Sequence, residues 1–271
     1  MDWVSHIIDL LGRVRERRPL IQNITNFVVM NTTANALLAI GASPVMSHAP
    51  QELEDMLGLA DALVINIGTL DKFWIESMYK AAELATDMGK PIVLDPVGSG
   101  ATRLRTEVSL NLLRRYNISV VRGNFSEMAS LLGSSVRTRG VDTSTYSREH
   151  AKKISVEVAR EFGLVAAVTG PTDYISDGDI VLWTSNGHPM LGRVTGTGCI
   201  ATALIGAFIA VSDPLDAGLS ALTIFGIAAE KAFEEAMGPG TFHVKLYDWL
   251  YRIDGDLIRE RAEVGSFEAE G

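Results

Sequence analysis

Short apolar runs alternate with helix-length segments from Leu20 to Val168, and no other feature restricts the fold so tightly. Ala62-Leu63-Val64-Ile65-Asn66, Pro91-Ile92-Val93-Leu94, Ile118-Ser119-Val120-Val121 and Leu164-Val165-Ala166-Ala167-Val168 carry almost no polar interruption. Strands of that kind are buried on both faces, as in a parallel sheet covered by helices on either side. The segments between read as helices: Phe27 to Ile40 ended by Gly41, Glu52 to Leu59, Asp71 to Met88 stopped by Gly89, Arg103 to Arg115, Asn124 to Leu132 and Ser147 to Phe162. A helix over Trp3 to Arg17 places Val4, Ile7, Ile8 and Leu11 on one face. Leu20-Ile21 and Pro44-Val45-Met46 are short strand candidates, and Asp177-Gly178 marks a hairpin between Thr172 to Ser176 and Asp179 to Thr184. Ser134 to Thr145 is a polar interruption, Gly198 to Arg261 reads as mostly helical, and Gly265 to Gly271 as a frayed end. The expectation is one α/β domain over residues 1–271, with a mainly parallel central sheet flanked by helices on both faces.

Charge and cysteine content remove several function classes. With 24 Lys plus Arg against 33 Asp plus Glu the chain carries a formal charge of −9, which disfavours nucleic acid as the main partner. Arg13, Arg15, Arg17 and Arg18 are interspersed near one helix end and read as solvated. A single cysteine excludes an intrachain disulfide and a cysteine-based zinc site. Met1-Asp2-Trp3 opens no signal-peptide pattern, so a cytoplasmic enzyme is the expectation. The apolar runs Ile200 to Val211 and Ala217 to Ala229 are each short of the ~20 residues that a spanning helix needs. They read as two buried helices rich in small residues.

In a parallel sheet of this kind, ligands bind beyond the carboxyl ends of the strands. Those ends supply Asn66-Ile67-Gly68, Asp95-Pro96-Val97-Gly98, Arg122-Gly123-Asn124 and Thr169-Gly170. Gly192 to Cys199 then precedes an apolar helix. Its glycines let backbone amides converge at a helix N-terminus, an arrangement that suits a phosphate; a glycine-rich helix entry with good packing is the plainer alternative. The loop has no Lys and is neither a Walker loop nor a first-unit dinucleotide fingerprint. Asp95 and Glu127 are carboxylates at neighbouring strand ends, a donor set for Mg²⁺ shared with substrate phosphates; helix capping is the plainer alternative for each. Arg122 can pair with a nucleotide phosphate or form a surface ion pair. Cys199, in the first helical turn, is expected to have a lowered pKa, or to be a small buried apolar residue. His6, His48, His150, His188 and His243 show no metal-ligand spacing.

Five segments together resemble the hydroxyethylthiazole kinase family: Gln22-Asn23-Ile24-Thr25-Asn26, Gly41 to Met46, Leu94 to Gly98, Arg122 to Glu127, and Gly196-Thr197-Gly198-Cys199. The match is collinear over roughly residues 10 to 235. Each motif is weak alone and the combination is specific. The resemblance implies a ribokinase-like fold, ATP and Mg²⁺, phosphorylation of a primary alcohol, and a homotrimer with sites between subunits. It implies thiazole contacts at Met46 and Gly196, with Asn26 and Gly68 on the same side. Arg122 and Thr169 would contact ATP, with Asn124 beside them, and Asp95 and Glu127 would organise Mg²⁺. The amides of Thr197, Gly198 and Cys199 would receive the transferred phosphoryl charge, and Cys199 stands where most ribokinase-like kinases have an aspartate base. The alternatives on the same fold are another small-alcohol kinase, such as one for hydroxymethylpyrimidine, and an ADP-dependent dehydratase. A nucleotide- or thiazole-binding sensor is the non-enzymatic reading.

Overall fold

The computed structural model describes residues 2–133 and 147–269. The polar stretch from Ser134 to Thr145 lies outside them, as do Glu270 and Gly271. Among the described residues nine strands form one sheet in the order β2-β1-β3-β4-β5-β6-β7-β8-β9. These are β1 (Leu20–Ile24), β2 (Ser43–Val45), β3 (Ala62–Asn66), β4 (Ile92–Asp95), β5 (Val120–Asn124), β6 (Val165–Thr169), β7 (Asp173–Ser176), β8 (Ile180–Thr184) and β9 (Val264–Glu268). The first six are parallel, and β7, β8 and β9 extend the sheet antiparallel. The mainly parallel expectation holds.

Side-chain alternation divides the core in two. Ile21, Val64, Val93, Val120 and Ala167 pack against α1 (Trp3–Arg17), α2 (Met30–Ile40), α8 (Thr197–Ile209), α9 (Pro214–Glu235), α10 (Pro239–Arg252) and α11 (Gly255–Arg261). Leu63, Ile65, Ile92, Leu94 and Val121 face the other way, onto α3 (Leu53–Leu59), α4 (Lys72–Asp87), α5 (Arg103–Arg115), α6 (Phe125–Leu131) and α7 (Arg148–Phe162). The two apolar runs are α8 and α9, buried against each other and the sheet. No helix among the described residues is long and apolar enough to cross a membrane.

Two local expectations are corrected. The helix expected from Phe27 starts at Met30, because Asn26 folds the chain first: its Oδ1 accepts the Val28 amide (3.1 Å) and its carbonyl accepts the Val29 amide (3.2 Å). Such an Asn turn competes directly with helix. The end expected to fray instead forms β9, with Val264–Glu268 paired along β8 and Phe267 stacked near Trp183 at 6.3 Å. Val-Gly-Ser-Phe-Glu lacks the period-2 pattern that would have marked a strand.

The start of α8 lies over the carboxyl ends of the strands because the middle of α8 comes very close to the sheet. A Cβ at Gly206 would stand 2.5 Å from Val64 Cγ2 and 3.2 Å from Ile21 Cγ2. Gly206→Ala is therefore expected to destabilise by about 1–3 kcal/mol, as overpacked core sites do. The check is urea unfolding, which should show a lower midpoint at unchanged slope.

Candidate functional site

One face of the sheet carries polar residues at the carboxyl ends of β3 and β4, directly beneath the first turns of α8. Asn66 and Asp95 are register partners at those ends, and both are buried. The Asn66 Nδ2 donates to Asp95 Oδ2 (2.9 Å), and Thr202 Oγ1, on α8, donates to the same oxygen (2.8 Å). The Asn66 Oδ1 then accepts both Asn26 Nδ2 (2.8 Å) and the Gly68 amide (2.9 Å). Asn26 Nδ2 also approaches Cys199 Sγ at 3.6 Å. A continuous buried chain thus runs from Asn26 and Cys199 through Asn66 to Asp95. A Cβ at residue 68 would lie 2.5 Å from Asn26 Nδ2, so any side chain there would displace the Asn26 amide from Asn66.

The electrostatics follow from burial. The Asp95 carboxyl is pushed up to about 7, chiefly because burial penalises its charge; Arg122 opposes the shift, Glu127 adds to it, and the Thr202 and Asn66 hydrogen bonds oppose it. Asp95 Oδ1 is buried without a hydrogen-bond partner. Glu127 is the capping alternative realised: Oε2 accepts the Asn124 amide (2.9 Å), Asn124 Oδ1 accepts the Glu127 amide (3.0 Å), and Oε1 accepts the Gly98 amide (2.8 Å). Its carboxylate thereby ties the loop after Asp95 to the start of α6. Asp95 caps nothing.

Of the two carboxylates, Asp95 is the one with a free oxygen suited to a divalent ion, since both Glu127 oxygens already accept backbone amides. Asp95 offers an orphaned oxygen, and two protein carboxylates are enough for Mg²⁺, which keeps several waters and takes the rest from phosphates. Among the described residues no group of three or more His, Cys, Asp or Glu is arranged for a metal.

Beside this lies a cavity of about 530 Å³, lined at one end by Arg122, Thr169, Thr197 and Gly198. A Cβ at residue 198 would come within 2.8 Å of Arg122 Nη1, so the guanidinium lies against the first turn of α8. The amides of Thr197, Gly198 and Cys199 precede the first backbone bond of that helix, from Ile200 to the Gly196 carbonyl (2.9 Å). Gly196 takes φ +87°, and the loop that it turns packs on Val29. The Thr197 hydroxyl faces back to the Leu191 carbonyl (2.9 Å), leaving only its amide for an anion. Arg122 is not the surface ion pair of the plainer reading: its Nε is buried and unpartnered. Partial positive helix charge, free amides and a guanidinium converge on one end of the cavity.

The structure brings the expected residues together as two neighbouring groups. Asn26, Gly68 and Cys199 stand at one end of the polar chain, with Asp95 at the other. Arg122, Thr169, Thr197 and Gly198 line the cavity. Asn124 is an exposed cap beside Thr169, its register partner, and its Oδ1 is committed to α6. Met46 lies just past β2, separated from Asn66 by β1.

The lowered pKa expected for Cys199 is wrong. Burial first, and the Asp95 charge next, push the thiol up to about 11; the Asn66, Arg122 and Asn26 contacts offset only part of this.

Sequence reading also gave no role to Asn66, Thr202 or the far wall of the cavity. There Glu230 Oε1 on α9 accepts Asn186 Nδ2 (3.0 Å) and the Gly187 amide (2.8 Å), and His188 stacks on Phe233 at 3.6 Å. Thr202 had a signal: it is a lone polar residue one turn beyond Cys199 in an apolar helix. The Glu230 contacts are long-range and had none.

Cys199 should accordingly resist alkylation. The rate with iodoacetamide, measured against pH, is expected to stay low through pH 8 and to rise only above about 9, because the thiolate is the reactive form. An inflection near neutral pH would contradict the buried, neutral thiol.

Comparison with known proteins now adds to this geometry. A family model described as Hydroxyethylthiazole kinase family matches residues 11–256, some twenty residues further than the motifs alone suggested. A hydroxyethylthiazole kinase of Pyrococcus abyssi is 62% identical over 96% of this chain and 98% of its own length. A solved structure of hydroxyethylthiazole kinase protein from Pyrococcus horikoshii superposes with a TM-score of 0.91 at 60% identity, covering 97% of this chain and all of that one. A Staphylococcus aureus pyridoxal kinase, solved with AMP-PCP and pyridoxal, is similar in fold alone: TM-score 0.62, 18% identity, 93% of this chain and 99% of that one.

Proposed function

The chain belongs to the hydroxyethylthiazole kinase family, and on that premise we propose that it transfers the γ-phosphoryl group of ATP to the primary alcohol of 4-methyl-5-(2-hydroxyethyl)thiazole, as one kinase domain over residues 1–271. The observation that carries this reading is the meeting of two sites at the start of α8. The polar chain from Asn26 to Asp95 reaches it from one side, and the Arg122 cavity reaches it from the other.

In this reading Asn26, Gly68 and Cys199 mark the alcohol end, with Gly196 beside Cys199 and Met46 assigned to the thiazole from beyond β2. ATP lies in the cavity, its phosphates toward Arg122, Gly198 and Thr169, with Asn124 at the rim. Asp95 and Glu127 would hold Mg²⁺, which supplies charge neutralisation on the β- and γ-phosphates. The amides of Thr197, Gly198 and Cys199 are aimed where charge on the transferred group develops. The alcohol oxygen forms the new P–O bond as the bond to the β-phosphate oxygen breaks, giving a phosphate monoester, ADP and a proton. Such transfer rests on positioning and charge stabilisation rather than on a strong base. A neutral Cys199 thiol therefore serves as a wall that fixes the hydroxyl, not as a thiolate.

The same reading includes a cytoplasmic setting, where ATP is abundant, and a homotrimer with sites at subunit boundaries. Exposed Phe27 and Val28 next to Asn26 support the latter, since they offer apolar surface at the edge of the alcohol pocket.

A coupled ADP-release assay tests the proposal, run with ATP and Mg²⁺, with and without the thiazole alcohol, and with hydroxymethylpyrimidine in parallel. ADP release should require the thiazole, stop on chelation, and fall at least about 100-fold in Asp95→Asn. Release with the pyrimidine alone would overturn the substrate, and release without any alcohol would overturn the kinase.

A further inference from the structure

The cavity holds one group that the mechanism leaves unused, the side chain of Asp173. It opens β7 on a rigid hairpin: Asp173 pairs with Thr184, and the hydroxyls of Thr172 and Ser185 lie 3.1 Å apart. Alternation fixes its direction. Ile175 faces α8 and α9 while Tyr174 faces the opposite layer, so Asp173 shares the α8 and α9 face. Arg122 and Thr169 lie on that face too, in β5 and β6, because Val120 and Ala167 do. Arg122, Thr169 and Asp173 therefore share one face of three adjacent strands, Arg122 lying two residues before Asn124, the register partner of Thr169, and all three line the cavity.

The carboxylate is half-engaged. Its Oδ1 accepts the Gly170 amide (2.9 Å), which closes the turn between β6 and β7. Its Oδ2 has no hydrogen-bond partner among the described residues. Burial pushes the carboxyl up to about 7, against the Gly170 bond and Arg122. A second oxygen left facing a ligand cavity asks for a donor from the ligand. That donor is not a phosphate, which carries like charge and has its own place at Arg122 and the α8 amides. Beyond Asn186, Gly187 and His188, the cavity lining includes the apolar side chains of Leu222, Phe225, Pro189 and Leu191, which suit a flat base. Asp173 adjoins the phosphate end, next to Thr169. The nucleotide donors nearest to phosphates are the two hydroxyls of the sugar.

We propose that Asp173 reads the ribose of the bound nucleotide, its free carboxylate oxygen accepting a 2′- or 3′-hydroxyl, so that the protein prefers ribonucleotides to deoxyribonucleotides. The assignment rests on the nucleotide placement proposed above. It requires no movement of the hairpin, since the Gly170 contact already orients the carboxylate. A hydroxyl bound to an ionised acceptor gives about tenfold or more in affinity.

Calorimetry with ADP, 2′-deoxy-ADP and 3′-deoxy-ADP tests this on the full chain with Mg²⁺ and no alcohol present. The wild type should bind ADP about tenfold or more tightly than at least one deoxy form. In Asp173→Asn the amide oxygen keeps the Gly170 bond while the NH₂ replaces the acceptor. That ratio should then fall toward one, through weaker ADP binding. Asp173→Ser, which keeps a short acceptor for Gly170, should behave alike. The ratio within each variant is independent of how well the variant folds. Equal affinity for all three nucleotides in the wild type, or a ratio unchanged in both variants, overturns the ribose assignment; thiazole-dependent ADP release would then leave the kinase standing. Failure of the wild type to bind any of the three overturns both.

Discussion

A carboxylate buried where it would rather be neutral governs this molecule. Asp95 ends a strand whose other residues are apolar, and it lies under a helix with scarcely any polar side chains. Burying an ionised group without compensation is costly. Among the described residues two side chains donate to Asp95, Asn66 from the next strand and Thr202 from the helix above. Because both go to one oxygen, the other stays bare. Because Asn66 must turn its NH₂ toward Asp95, its oxygen must turn toward Asn26 and Gly68. One buried charge thus sets the amide orientation of a whole row.

The helix above the row does two things at once. Its small residues let it come close to the sheet, so its N-terminus ends up over the strand ends. That N-terminus presents three amides, and Arg122 on β5 a guanidinium, to one end of a cavity. That end suits an anion, and Leu222 and Phe225 add apolar lining to the cavity. The bare oxygen of Asp95 and the tethered carboxylate of Glu127 stand beside the boundary. Cys199 sits where these meet, and burial holds it neutral.

Much of this could be read from the residues. The alternation of apolar runs with helices fixes a parallel sheet, and polar residues at strand ends mark its binding edge. Asp95, Arg122 and Gly198 follow from that edge. What could not be read depends on competition between effects of similar size. A helix start lowers a thiol pKa, but burial beside Asp95 raises it further, and only coordinates show how deep Cys199 lies. Asn26 reads as helix-compatible until its side chain is seen closing a turn. The strand over Val264–Glu268 depends on Trp183, some eighty residues earlier, and has no local signature. Asp173 looks like one more turn residue until alternation places it on the same face as Arg122.

Asn66 links Asn26, at the end proposed for the alcohol, to Asp95, at the end proposed for the metal, and the proposed transfer depends on that link. The direct measurement is kcat for thiazole-dependent ADP release in Asn66→Ala, with ADP affinity measured on the same protein. The account predicts a kcat lower by about 100-fold or more, some 2.7 kcal/mol in the barrier, with ADP affinity within about threefold of wild type. A kcat within about threefold of wild type in a folded protein would contradict it, because the buried chain would then be structural packing and no more.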